Sequence, residues 1–258
     1  MAGKYDDEKR EAAAGTQLLH HFGLSAGVRV SLGHVSVRIP NEPDKFVVKG
    51  RGYRSDALPS IRPEDMVVAD LDGVWVDGPR NVVPCFEVKI HSCLLKARPD
   101  LNSVVHVHPK YSTLLSTLGR KIKPMVQEGA RFVLDDIPVY PKQKIITTDE
   151  EGTAVATAVG QGSVALLFGH GAVTAGNTME EAIMGMVHLE HQAEMNYLAA
   201  LLDGRDHPSV PRDLVLESSN SQGSQYQLPH FKASVERAGA PIYGGVWGYW
   251  MDVAQGLF

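Results

Sequence analysis

Three histidines stand at spacings that could build a catalytic metal site. His106 and His108 form a His-x-His pair before Pro109, and His170 lies between two glycines in Phe-Gly-His-Gly-Ala-Val. Side chains alternate between the two faces of a strand, so His106 and His108 would share one face. Three imidazoles leave coordination positions open, as a catalytic metal needs and a structural one does not. We therefore expect His106, His108 and His170 to bind one divalent metal ion.

The sequence around these histidines favours a site over a packed core. An isolated His-x-His pair is weak support, but here it follows Ser103 and the apolar, β-branched Val104 and Val105, and Pro109 ends the strand. His170 likewise follows an apolar run, 164–168, and its flanking glycines permit a tight turn. Two predicted strands thus end in histidine.

The predicted elements alternate between helix and strand. Glu87 is expected in the first turn of a helix that begins at Pro84 and runs to about Ala97, with His91 one turn later on the same face. An Asp-Gly turn joins two short strands into a hairpin, and a capping box opens a long helix. The expected helices are 8–22, 84–97, 110–118 and 178–202, and the expected strands include 28–39, 45–48, 66–70, 74–76 and one ending at 168. Such hairpins predict an α/β fold with a largely antiparallel central sheet, formed by residues 1–258 as a single domain.

Composition bounds the function further. The formal charge of −5 without a basic run argues against nucleic acid or an anionic membrane surface as a partner. The acidic start has no apolar core typical of a signal peptide, and no run reaches membrane-spanning length. Cys85 and Cys93 are expected on one helix about 12 Å apart, too far for a disulfide. These features predict a cytoplasmic enzyme.

The order Glu-x-x-x-His, His-x-His and Gly-His-Gly resembles the class II aldolase/adducin family. The resemblance extends from about Gly33 to the helix ending near Leu202. It implies a class II aldolase-like α/β/α sandwich and a metal-activated carbon–carbon lyase. It also implies that Glu87 is the acid/base group, and that the active site lies between protomers of a cyclic homotetramer.

Departures from the phosphate-cleaving members argue for a different substrate. By this resemblance, the phosphate-cleaving members have two serines at the positions of Cys85 and Phe86. Glu128 lies near the position of the catalytic tyrosine of fuculose-phosphate aldolase. The losses favour release of carbon dioxide. Similar decarboxylases act on hydroxylated aromatic or heteroaromatic acids, such as a dihydroxyphthalate or the hydroxy-methylpyridine-dicarboxylate of vitamin B6 breakdown. There the cation acts as a Lewis acid and Glu87 passes a proton to the ring carbon.

Three further residues are expected to bind the small carboxylic acid substrate. His34 follows a glycine where phosphate-sugar aldolases carry an amide, and Arg51 lies between glycines, with Arg38 as an alternative cation. His91 could orient Glu87, contact substrate or only pack. Three imidazoles accept zinc, manganese, cobalt or iron.

Two other functions stay open at this point: retro-aldol cleavage of an unphosphorylated substrate, and a non-catalytic adducin-like interaction module. The tail 203–258 is rich in glycine and proline and reads as irregular. Its bulky side chains are expected to serve as a subunit interface or an active-site lid: Tyr243, Trp247, Tyr249, Trp250 and Met251.

Overall fold

The computed structural model describes residues 3–52, 55–221, 224–238 and 245–256. The strands are β1 (His34–Ile39), β2 (Glu42–Arg51), β3 (Met66–Asp70), β4 (Trp75–Asp77), β5 (Val83–Pro84), β6 (Ser103–Val107), β7 (Val139–Tyr140), β8 (Val164–Leu167) and β9 (Gly171–Gly176). The helices are α1 (Asp6–His21), α2 (Val88–Ala97), α3 (Lys110–Thr117), α4 (Asp149–Val159), α5 (Met179–Asp203), α6 (Arg212–Asn220), α7 (Pro229–Ala238) and α8 (Gly245–Ala254).

All nine strands join one sheet in the order β4-β3-β2-β1-β6-β9-β8-β7, and β5 pairs with β2 beside this path. Every recorded pair is antiparallel except β7 with β8. The predicted mostly antiparallel sheet is therefore present, with one parallel pair at its edge.

Helices cover both faces of the sheet, because β6 has apolar side chains on both faces, and these pack against helices on each side. Val104 packs with residues of α2 and α4, whereas Val105 and Val107 pack with residues of α1 and α5. Burial of one such aliphatic side chain contributes roughly 1.5–3 kcal/mol. Because His106 alternates with Val105 and Val107, it faces the α2 side.

The capped start of α5 agrees with the predicted boundary. The Thr178 hydroxyl accepts a hydrogen bond from the Glu181 backbone N–H at 3.1 Å, while the Glu181 carboxylate accepts from Asn177 N–H at 2.8 Å. These contacts satisfy donors that the helix start leaves unpaired.

Two predicted boundaries are wrong at the start of α2 and β1. Pro84 lies in β5, where it pairs with Gly50 of β2. Glu87 is the residue immediately before α2 and is not part of its first turn. Cys85 thus lies outside the helix, and both cysteines are free. The strand expected from Val28 begins only at His34. Residues Gly27–Arg29 instead form a 3-10 turn, and the φ of 60° at Gly27 suits glycine.

The tail is more ordered than its composition suggested, since it forms α6, α7 and α8. The Trp250 ring packs edge-on against Phe22, which follows α1, with centroids 4.8 Å apart. Trp247 and Met251 pack against the same core, while Val246 is 65% exposed. The tail's Tyr243 lies outside the described residues. Within the described ranges, no helix is long and apolar enough to cross a membrane.

Candidate metal centre

Four side chains from three segments of the chain converge at one end of β6. His106 lies in β6 and His108 just beyond it, His170 lies in the turn between β8 and β9, and Glu87 precedes α2. Each offers one donor atom, and these atoms lie within 4.8 Å of one another. We call this group the donor cluster: Glu87, His106, His108 and His170.

The donor spacing fits ligands around one cation. His106 Nε2 lies 3.2 Å from His108 Nε2 and 3.3 Å from Glu87 Oε2. His170 Nε2 lies 3.4 Å from Glu87 Oε1. Nitrogen ligands about 2.1 Å from a tetrahedral Zn²⁺ are separated by roughly 3.4 Å. The chemistry also fits, because imidazoles with a carboxylate suit zinc, manganese, cobalt and iron.

Hydrogen bonds outside the donor cluster orient its members. His106 Nδ1 donates to the Ala172 carbonyl at 3.0 Å, which leaves the Nε2 lone pair for the cluster. Glu87 Oε1 accepts from the Ile146 backbone N–H at 3.0 Å. The Arg29 guanidinium donates to the His108 carbonyl at 2.6 Å, which fixes the backbone at the end of β6.

The electrostatics favour the ligand forms of His108 and Glu87. Burial, together with His106 and His170, lowers the pKa of His108 to about 3, so this imidazole is neutral at pH 7. Burial raises the pKa of Glu87, but the charge of His106 and the hydrogen bonds from His106 and His170 outweigh burial and hold the pKa well below its usual range. Neutral imidazole and ionised carboxylate are the forms that bind metal.

Gly171 allows the strands to meet closely beside the donor cluster. A Cβ at this position would collide with the Val107 carbonyl oxygen and lie 3.1 Å from His106 Cε1 and 3.2 Å from His108 Cδ2. The glycine is therefore required by packing, and not only by the turn around His170.

A second group of buried side chains lies behind the donor cluster. His34 pairs with His106 across β1 and β6, and their ring centroids are 5.2 Å apart. His34 Nδ1 and His91 Nε2 are hydrogen-bonded at 2.7 Å. The distance between these two nitrogens is too short for two ligands of one cation. Burial also raises the pKa of the nearby Cys85 thiol to about 12, so the thiolate that would bind a metal is disfavoured. This group is therefore suited to hydrogen bonding and not to metal binding.

Most of the chain matches a known protein family. The family described as "Class II Aldolase and Adducin N-terminal domain" matches residues 10–197. The chain belongs to this family.

Proteins named for different reactions are similar to this chain. The 3,4-dihydroxyphthalate decarboxylase of Terrabacter sp. (strain DBF63) is 28% identical over 225 residues, 83% of this chain and 90% of the relative. The 5-methylthioribulose-1-phosphate/5-deoxyribulose-1-phosphate aldolase of Rhodospirillum rubrum is 31% identical over 209 residues, 81% and 89% of the two chains. An aldolase II superfamily protein from Pseudomonas syringae shares the fold, with a TM-score of 0.77 at 19% identity over 100% of this chain and 95% of the other.

The predicted cations of this aldolase-family chain have different surroundings. Arg51 forms an ion pair with Asp56 and lies over the Phe86 ring, 5.4 Å from its centroid. Arg38 instead donates to backbone carbonyls, including Leu101 at 2.9 Å and Leu95 at 2.7 Å. Arg38 is therefore committed to the fold, which removes it as the alternative substrate cation.

Some residues near the site were absent from the sequence prediction. Ser36 hydrogen-bonds to His91 Nδ1 at 2.7 Å, and strand alternation from His34 could have identified it. Lys49 is fully buried and forms an ion pair with Asp56, which also forms an ion pair with Arg51. Only the folded structure shows that one carboxylate pairs with both cations. Glu128, by contrast, is exposed and outside the donor cluster.

Proposed function

We propose that this protein is a divalent-metal-dependent decarboxylase of a hydroxylated aromatic or heteroaromatic carboxylic acid. The observation that carries the proposal is the donor cluster, with three imidazoles and one carboxylate at ligand spacing. A bound cation would stabilise, as a Lewis acid, the electron pair left on the substrate when carbon dioxide departs.

In this proposal Glu87 handles the proton. Departure of carbon dioxide breaks the carbon–carbon bond, and a proton must then reach the ring carbon to complete the product. The Glu87 carboxylate is buried and is held by the Ile146 N–H, so it lies in one orientation beside the histidines. A fixed carboxylate that exchanges protons with water can relay this proton.

Residues around Phe86 support an aromatic acid as the substrate. Phe86 precedes Glu87 and is 61% exposed, so its ring is available to an aromatic ligand. The Arg51 guanidinium lies over that ring, and its Nε is buried without a hydrogen-bond partner among the described residues. A substrate carboxylate beside this ring could accept from Arg51 Nε. The two serine hydroxyls expected for binding a phosphate are replaced by the buried thiol of Cys85 and the ring of Phe86.

The second candidate is retro-aldol cleavage, because an aldolase is also among the similar family members. It would use the same donor cluster and Glu87 but release an aldehyde. A non-catalytic interaction module would need neither a complete donor cluster nor a buried carboxylate beside it.

A product assay separates these functions. The purified protein is stripped with a chelator, reloaded with Zn²⁺, Mn²⁺, Co²⁺ or Fe²⁺, and supplied with 3,4-dihydroxyphthalate, 3-hydroxy-2-methylpyridine-4,5-dicarboxylate or aldol compounds. We expect metal-dependent carbon dioxide release from a hydroxy-aromatic acid. Aldehyde release without carbon dioxide would favour the aldolase, and no product with any metal would favour the interaction module.

We also propose a cytoplasmic homotetramer in which a neighbouring subunit completes the site. Apolar side chains close in sequence to members of the donor cluster remain exposed. Among them are Phe86, which precedes Glu87, and Phe168, which lies two residues before His170. Light scattering of the metal-loaded protein measures the assembly directly. A monomer with full activity would contradict this arrangement.

A further inference from the structure

Three buried side chains form a continuous hydrogen-bonded series behind the donor cluster. Ser36 Oγ bonds His91 Nδ1 at 2.7 Å, and His91 Nε2 bonds His34 Nδ1 at 2.7 Å. All three residues are less than 5% exposed. We call this series the imidazole relay: Ser36, His91 and His34.

The relay leaves only one ring nitrogen for the substrate region. Both nitrogens of His91 are already engaged, so His91 can contact neither metal nor substrate without breaking the series. His34 has Nε2 left, and its ring lies beside His106 of the donor cluster. The chemical character of His34 Nε2, donor or acceptor, depends on where the proton of each ring lies.

Burial of Ser36 decides between the two proton arrangements. If His91 Nδ1–H donated to Ser36, the serine O–H would have to find another acceptor, and Ser36 Oγ has none among the described residues. A buried hydroxyl hydrogen without an acceptor is costly. The hydroxyl therefore donates to His91 Nδ1, His91 Nε2–H donates to His34 Nδ1, and His34 carries its proton on Nε2.

We propose that Ser36 and His91 are positioning residues that hold His34 as an N–H donor for an anionic oxygen of the substrate. The proposal rests on the proposed function in one respect, the acidic substrate. It also explains why a histidine beside the donor cluster stays outside it: a nitrogen that carries a proton has no lone pair for a metal.

The proton positions can be measured without turnover. Solid-state ¹⁵N spectra of the histidine-labelled, Zn²⁺-loaded full chain distinguish the two tautomers, and His34→Gln assigns the His34 signals. We expect His34 to be protonated on Nε2, and His34→Gln to keep the wild-type zinc content. A His34 ring protonated on Nδ1, or zinc lost from His34→Gln, would overturn the proposal.

A matched pair of variants tests the role of the serine hydroxyl. Ser36→Thr and Ser36→Val have the same shape, but only threonine can donate to His91. With 3,4-dihydroxyphthalate as the probe, we expect the KM of Ser36→Val to be about tenfold above that of Ser36→Thr, the scale of one hydrogen bond to a charged group. We expect kcat to differ less than KM.

Several outcomes separate this proposal from the proposed function. Equal KM values for the two variants, with equal zinc content, would reject the relay. If both fail to fold, Ser36→Ala removes the hydroxyl without adding volume, and its His34 tautomer must differ from wild type. If the wild type releases no carbon dioxide, the proposed function fails, whereas the ¹⁵N spectra still decide the proton positions.

Discussion

His170 joins the donor cluster through Nε2, while its Nδ1 is buried without a hydrogen-bond partner among the described residues. This ring is therefore held mainly by what Nε2 binds, unlike His106, whose Nδ1 donates to a carbonyl. We expect His170→Ala to weaken metal retention by more than about tenfold, since even an outer partner of a ligand contributes that much. Metal analysis after dialysis measures it. The control is His191→Ala, an exposed histidine, and equal retention by both variants would mean that the site is misassigned.

Glu87 offers a sharper test of chemistry. Glu87→Gln keeps an oxygen to accept from the Ile146 N–H but cannot exchange a proton. Because His106, His108 and His170 remain as three ligands, we expect the fold and metal content to persist and turnover to fall by about a hundredfold or more. Stopped-flow measurement of carbon dioxide release, with metal content determined on the same sample, gives the result. Near-normal turnover would assign proton transfer to another group.

At the scale of elements, the close approach of β6 and β9 holds the histidines together. A Cβ on Gly171 would collide with the Val107 carbonyl, so we expect Gly171→Ala to lose about 1–3 kcal/mol of unfolding free energy and to weaken metal binding. Gly248→Ala is the control, because nothing lies within 4 Å of its added Cβ in α8, where alanine favours the helix. Urea unfolding compares them. Equal stability losses would show that the close approach is unimportant.

We expect the burial of His91 between α2 and β1 to make the unfolding free energy depend on pH. Burial lowers the pKa of His91 to about 3, whereas an unfolded histidine titrates near about 6.5. Between about pH 3 and pH 6.5 the unfolded chain binds a proton at His91 and the native chain does not. The free energy of unfolding therefore decreases as the pH falls through this range. From pH 7 to pH 5 the loss from His91 is about 2 kcal/mol. Urea unfolding of the zinc-loaded protein should show a smaller loss for His91→Phe, and an unchanged pH dependence would contradict the assignment.

The elements show which features could be predicted from sequence and which could not. The convergence of His106, His108 and His170 could be predicted, because strand alternation and glycine-flanked turns are local patterns. The start of α2 was missed because proline at 84 suits a first helical turn as well as the edge pair that it makes with Gly50. The pairing of His34 with His106 depends on contact between distant segments, which no local pattern contains.

At the scale of the whole molecule, α8 has one face on its own subunit and one face exposed. Trp250 packs on Phe22, whereas Val246 and Tyr249 are 65% and 48% exposed. The first face predicts a role in stability and the second a role in assembly. This division changes what truncation of the tail can show, because removal of α8 also uncovers the core near α1.

Variants on the two faces therefore test the tail better than truncation alone. We expect Trp250→Ala to lower the unfolding free energy by about 2 kcal/mol, less than for a fully buried aromatic residue, and to leave the molar mass unchanged. Val246→Glu should keep the monomer's stability but reduce the tetramer, because it places a charge on the exposed face. Light scattering and urea unfolding of both variants, beside a chain truncated after Pro241, give the comparison. A truncated chain that remains a stable, active tetramer would exclude both roles for α8.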